Sequence, residues 1–141
     1  MLGTVESPNH KKLVAVWAVE NTWSEDTAEE LHDDLPRSTT HRYAIAPETM
    51  LKAMREAKSQ ALEVIGVYHS HPDHPALPSE CDRRLAWPQY SYVILSVIQG
   101  MTQDMQSWQL NSSEQFQSEA IEIQPDTPSK DSTTRQFLSS P

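Results

Sequence analysis

The chain is poor in the residues that several large function classes require. Its single cysteine, Cys81, has no partner within 141 residues, which excludes an internal disulfide framework. Eleven Lys and Arg stand against twenty Asp and Glu, a net charge of −9, so nucleic acid and anionic membrane surfaces are disfavoured partners. No apolar run approaches the roughly 20 residues that span a bilayer. Lys11-Lys12 ahead of residues 13–19 has the order of a secretory signal, but the run stops at Glu20 and has no small-residue cleavage site. The expected compartment is the cytoplasm. Gly-x-Ser-x-Gly, His-Glu-x-x-His and a Gly-rich phosphate loop are all missing, which removes the common serine-hydrolase, zincin and nucleotide-binding readings.

What remains fits one domain of ordinary size, expected over residues 1–124. Residues 1–4 are apolar, without cap or turn before them. Ser7-Pro8-Asn9 has turn composition, and residues 11–21 read as a strand with apolar side chains on both faces, predicting a strand covered on two sides. Residues 22–41 carry six acids and Pro36 and read as an acidic loop, either a plain solvated insertion or a selector of basic partners. A short strand over 41–46 is expected next. Pro47-Glu48-Thr49 opens a helix in which Leu51, Met54, Ala57, Lys58 and Ala61 follow a 3.6-residue spacing, with Met50 and Met54 read as core filling. Residues 90–99 form the most β-prone segment, expected as a central strand. Residues 105–110 predict a further strand, with Phe116 and the Ile121/Ile123 pair as edge candidates. Residues 125–141 form a polar tail too poor in apolar residues to offset the cost of ordering.

The chemistry sits in Gly66-Val67-Tyr68-His69-Ser70-His71-Pro72 and its continuation Pro78-Ser79-Glu80-Cys81-Asp82. Residues 62–68 predict a buried strand, and side chains two apart on a strand share a face, so His69 and His71 can converge on one ion. Pro72, Pro75 and Pro78 stiffen the loop that returns Asp82. Two imidazoles and one carboxylate leave a fourth tetrahedral position open, the arrangement of a catalytic zinc. Each half has an alternative. His-x-His alone is often a packed or hydrogen-bonded pair, and Ser79-x-x-Asp82 alone fits a helix N-cap.

Taken together, the run His-Ser-His-Pro, seven residues, then Pro-Ser-x-x-Asp resembles the signature of the JAMM (MPN+) zinc metalloproteases, in their prokaryotic branch. The resemblance covers residues 2–123. It implies an α/β fold, a curved mixed β-sheet flanked by helices, similar to that of the zinc cytidine deaminases. Those carry Pro-Cys-x-x-Cys where this chain has Pro78-Ser79-x-x-Asp82, so deamination is rejected. It further implies His69, His71 and Asp82 as zinc ligands, and Ser79 as the residue that positions the metal-bound water and stabilises the oxyanion. The family's general-base Glu precedes a Leu-Leu-Gly-like segment that here is residues 1–4. The resemblance thus implies an N-terminally truncated domain, lacking the first helix, most of the first strand and the Glu. Glu20 and Glu63 are the available substitutes, and both read as exposed strand-end charges.

Two function classes follow from the resemblance. One is a zinc isopeptidase or peptidase that cuts at the C-terminal tail of a ubiquitin-like or sulfur-carrier protein, its Gly-Gly tail adding along a sheet edge. The other is a non-catalytic MPN-type interaction module that keeps the metal site. An exposed sheet edge could also pair with another chain to form an oligomer.

Overall fold

The computed structural model describes residues 1–24 and 42–124; residues 25–41 of the acidic stretch and the tail 125–141 lie outside the described residues. The fold is mixed α/β. β1 (Leu2–Ser7) and β2 (His10–Ala15) form a hairpin through Pro8-Asn9, the turn expected there. Helix α1 (Pro47–Ser59) follows, then β3 (Glu63–Val64), β4 (Gly66–Pro72), the short helix α2 (Glu80–Leu85), β5 (Ser91–Ile98), β6 (Met101–Leu110) and β7 (Phe116–Glu119).

The strands form two ladders, an antiparallel β2-β1-β3 and a mixed β4-β5-β6-β7 in which β4 and β5 run parallel. Ile65 joins them. Its N–H donates to the Met1 carbonyl at 3.0 Å and its own carbonyl accepts from Ser91 N at 3.0 Å, so β3 and β4 are one run that changes neighbours. Gly66 is required at that crossing, since a Cβ there would lie 2.0 Å from the Ser91 carbonyl oxygen. β5 is central, as its composition predicts. Tyr92, Ile94 and Ser96 share its buried face by the two-residue alternation of a strand, with Ile94 fully enclosed. The β5–β6 hairpin closes through Gln99 (φ 50°) and Gly100 (φ 80°), two left-handed residues that match the twist of the strands they join. This turn lets β6 begin at Met101, earlier than its apolar pattern predicts.

Several expectations are corrected. β2 stops at Ala15 and is an edge strand, with Leu13, Val14 and Val16 51%, 56% and 56% exposed; no described layer covers either face. Residues 42–46 form no strand, because Asn21 and Thr22 take their backbone groups, and His41 lies outside the described residues. In α1 only Ala57 is buried; Met50 is half-buried and Met54 exposed, since the helix meets the sheet mainly along the two-residue β3. Ile121 and Ile123 lie beyond β7, both exposed.

These differences separate the sites that carry stability from those that do not. Ile94→Ala should cost about 2–5 kcal/mol in urea unfolding, as a fully buried side chain in the central strand. Met54→Ala should stay within about 0.5 kcal/mol.

Candidate metal centre

β4 places its histidines by register. His69 lies beside Ile94 and His71 beside Ser96 in the parallel ladder, so the two imidazoles stand on one face of the strand. Their Nε2 atoms face each other at 3.0 Å. Asp82 enters from the first turn of α2, its Oδ1 3.2 Å from His69 Nε2 and its Oδ2 3.8 Å from His71 Nε2. The chain thus brings the three predicted ligands together, with Asp82 buried and both histidines largely so.

Ser79 is the N-cap of α2. Its hydroxyl accepts from Asp82 N at 3.1 Å while its own N–H and O–H both donate to Asp82 Oδ2 at 2.6 Å, a reciprocal capping box. The cap and the candidate ligand are the same carboxylate. Oδ2 is fixed to Ser79 and Oδ1 is left toward the histidines. Burial pushes the Asp82 carboxyl up, but hydrogen bonding to His69 and Ser79 outweighs it and holds the group below the usual carboxylate range. His71 Nδ1 lies 3.0 Å from the Pro75 carbonyl, which fixes the tautomer with Nδ1 protonated and the Nε2 lone pair directed at the cluster. Burial lowers the His71 pKa despite that hydrogen bond, so the ring is neutral at pH 7.

The loop carrying Pro75 is itself pinned to the sheet. Asp73 N donates to Val97 O at 2.8 Å, Ser96 Oγ to His74 O at 2.7 Å and Trp108 Nε1 to Ala76 O at 3.0 Å. The three prolines stiffen the loop, and these bonds set its position. Tyr43 adds a wall. Its ring lies 4.4 Å from that of His69, and burial, with Asp82 nearby, pushes its phenol far up, so it stays neutral. His69 Nδ1 has no hydrogen-bond partner among the described residues, so this ring contact is what braces the imidazole plane. Tyr43 is held there by Asn21, whose Oδ1 accepts from Ala44 N at 3.0 Å and whose Nδ2 donates to Arg42 O at 2.8 Å. Sequence reasoning missed Tyr43, Ser96 and Trp108. Ser96 left a signal as a polar residue inside an apolar strand; Tyr43 left none.

The cluster opens into a cavity of about 550 Å³ bounded by residues 17–21, 42–45, α1 and β4. Of the two substitute acids, Glu20 lines this cavity and Glu63 does not. The donor set fits a zinc ion. Bonds of about 2.0–2.1 Å in a tetrahedron separate ligand atoms by roughly 3.3 Å, and His69 Nε2 lies 3.0 Å from His71 Nε2 and 3.2 Å from Asp82 Oδ1.

A fold with a histidine pair on a strand, answered by a carboxylate at a following helix start, matches a known family. The chain belongs to the prokaryotic homologues of the JAB domain, whose model matches residues 1–111. Among its relatives are a desampylase of Haloferax volcanii, 38% identical over 55 residues, and one of Pyrococcus furiosus, 42% identical over 48. A probable TtuB-protein conjugate cleaving protease of Thermus thermophilus is 40% identical over 52 residues. These matches cover 38%, 33% and 37% of this chain, and only 40%, 34% and 35% of the relatives. A solution structure of a Salinibacter ruber protein superposes with a TM-score of 0.60 at 34% identity, over 90% of this chain and 76% of that one.

Two outcomes follow from this geometry. The purified chain should hold about one zinc, lost in His71→Ala and Asp82→Ala, while Ser79→Ala weakens affinity by about 10–100-fold; elemental analysis and chelator competition read both. The second concerns pH. The folded His71 pKa lies below its ordinary value, so between the two the unfolded chain binds the extra proton and stability falls as pH falls. Metal-free protein should therefore lose stability in denaturant titrations between about pH 7 and pH 5, with a smaller slope in His71→Gln.

Proposed function

We propose that the chain is a zinc-dependent isopeptidase of JAMM type that hydrolyses the bond at the C-terminal tail of a ubiquitin-like or sulfur-carrier protein. The observation that supports it most is the convergence of His69, His71 and Asp82 in the wall of one open cavity. The names of the relatives, desampylase and TtuB-protein conjugate cleaving protease, point to the same substrate class.

In this reading His69, His71 and Asp82 hold the metal, with Pro75 and Ser79 orienting two of them. Bound zinc supplies Lewis acidity, polarising a carbonyl and bringing the pKa of a ligated water to about 7. Ser79 has two parts. Its O–H rests on Asp82 Oδ2, and turning from that oxygen would let it donate to the developing oxyanion. The outer edge of β4 receives the tail or its supporting strand. Gly66 O points to that edge, where Met1 N donates at 3.0 Å, and alternation puts the backbone groups of Tyr68 and Ser70 on the same side.

A carboxylate must still move the protons. Glu20, in the cavity wall, is the substitute to mutate. The alternative, an interaction module that keeps the metal but does no chemistry, differs in the outcome of one experiment. With zinc present, the protein should release a carrier protein from a Gly-Gly-linked lysine conjugate, and His71→Ala or Asp82→Ala should stop cleavage. Glu20→Gln should slow release by about 10²–10⁴-fold while leaving zinc content unchanged. Binding of the tail without any release establishes the interaction module instead.

A further inference from the structure

Two irregular segments, residues 17–21 and 42–45, wall the cavity, and neither belongs to a strand or a helix. One clasp joins them. The Asn21 carboxamide donates through Nδ2 to Arg42 O at 2.8 Å and accepts through Oδ1 from Ala44 N at 3.0 Å, so it brackets Tyr43 on both sides. Thr22 adds its N–H and its hydroxyl, donated to Ala44 O at 2.9 and 3.1 Å. The same Asn21 Oδ1 accepts from Trp23 N at 3.0 Å, and Trp23 is the one buried residue of 16–24, with the Arg42 guanidinium 5.4 Å from its ring. The clasp is thereby rooted in the core. Asn21 itself is exposed, so what calls for a side chain with both a donor and an acceptor at this position is the backbone it joins.

What the clasp positions is a single ring. Tyr43 lies between the two bonded residues, its ring 4.4 Å from that of His69 with the planes 32° apart. His69 depends on such a neighbour more than His71 does. A metal-binding imidazole usually donates its second N–H to an acceptor that fixes the ring. His71 has Pro75 O for this, whereas His69 Nδ1 is buried without a partner. On the side away from the cluster the His69 imidazole is therefore held by packing and not by a bond, and a half-turn about Cβ–Cγ would replace Nε2 with a carbon. We infer that Asn21 is a positioning residue of the metal centre: its carboxamide fixes residues 42–44, these fix the Tyr43 ring, and the ring holds His69 in the orientation that ligates. The inference rests on His69 being a ligand and needs neither the reaction nor the substrate proposed above.

Zinc affinity by chelator competition, together with long-range proton–nitrogen NMR correlations of the imidazoles in the metal-free chain, tests it. Asn21→Ala should weaken zinc binding about tenfold, the low end of the range for contacts outside the ligands. Tyr43→Ala should weaken it at least as much, while Tyr43→Phe, which keeps the ring, should retain the parental affinity. Because Asn21 acts through that ring, Asn21→Ala should add nothing in the Tyr43→Ala background, a non-additivity that a double-mutant cycle measures. In the metal-free spectra Asn21→Ala should broaden or split the His69 ring signals and leave those of His71 in place, since Pro75 O still holds that ring. A merely structural role would disturb both histidines alike, and unchanged His71 signals also report an intact fold. Parental zinc affinity in Asn21→Ala, an equal further loss in the Tyr43→Ala background, or matching changes at both histidines overturns the inference. A parent that takes up no zinc overturns the metal centre and this role together; a parent that binds it, with any of those three results, overturns the role of Asn21 alone.

Discussion

The site depends on one carboxylate serving two structures at once. Asp82 is buried at the first turn of α2, where an ionised side chain is costly unless its oxygens are satisfied. Ser79 satisfies Oδ2 with two donors, and in doing so caps the helix and sets the rotamer. Oδ1 is then free to face His69. Helix cap and candidate metal ligand are a single solution, which explains how a helix as short as Glu80–Leu85 can hold that carboxylate in place. Without the cap the carboxylate would lose both its orientation and the bonds that keep it charged.

The sheet supplies the rest of the geometry. Parallel pairing of β4 with β5 fixes His69 and His71 on one face, and side chains of β5 and β6 hold the return loop so that Pro75 meets His71 Nδ1. Each candidate ligand is therefore braced by a neighbouring group: Tyr43 for His69, Pro75 for His71 and Ser79 for Asp82. Such outer contacts govern affinity nearly as strongly as the ligands. The other ladder is organised differently: β1 is its centre and β2 its exposed margin.

Much of this was legible in the residues. Alternation placed His69 and His71 together, the Ser-x-x-Asp spacing marked the start of α2, and proline with glutamate marked the start of α1. The central strand was readable from its β-branched and aromatic content. What failed did so for identifiable reasons. A strand pattern over residues 11–21 carries no information on whether a neighbour exists, so β2 was read as covered when it is an edge. Residues 42–46 look like a strand, but side chains of Asn21 and Thr22 took their backbone groups instead, a tertiary competition invisible at short range. Helical spacing predicted α1 but not the narrowness of its contact, so Met54 was placed inside. Tyr43 reaches His69 across 26 residues of chain, a proximity that no local pattern encodes.

The central claim is that these three side chains form an open zinc site. Crystals grown with zinc, with data collected on both sides of its absorption edge, test that claim directly. The account predicts one anomalous peak bonded to His69 Nε2, His71 Nε2 and Asp82 Oδ1 at about 2.0–2.2 Å, with a solvent molecule completing the tetrahedron. No peak at this cluster, or a zinc closed off by a fourth side chain, would contradict it.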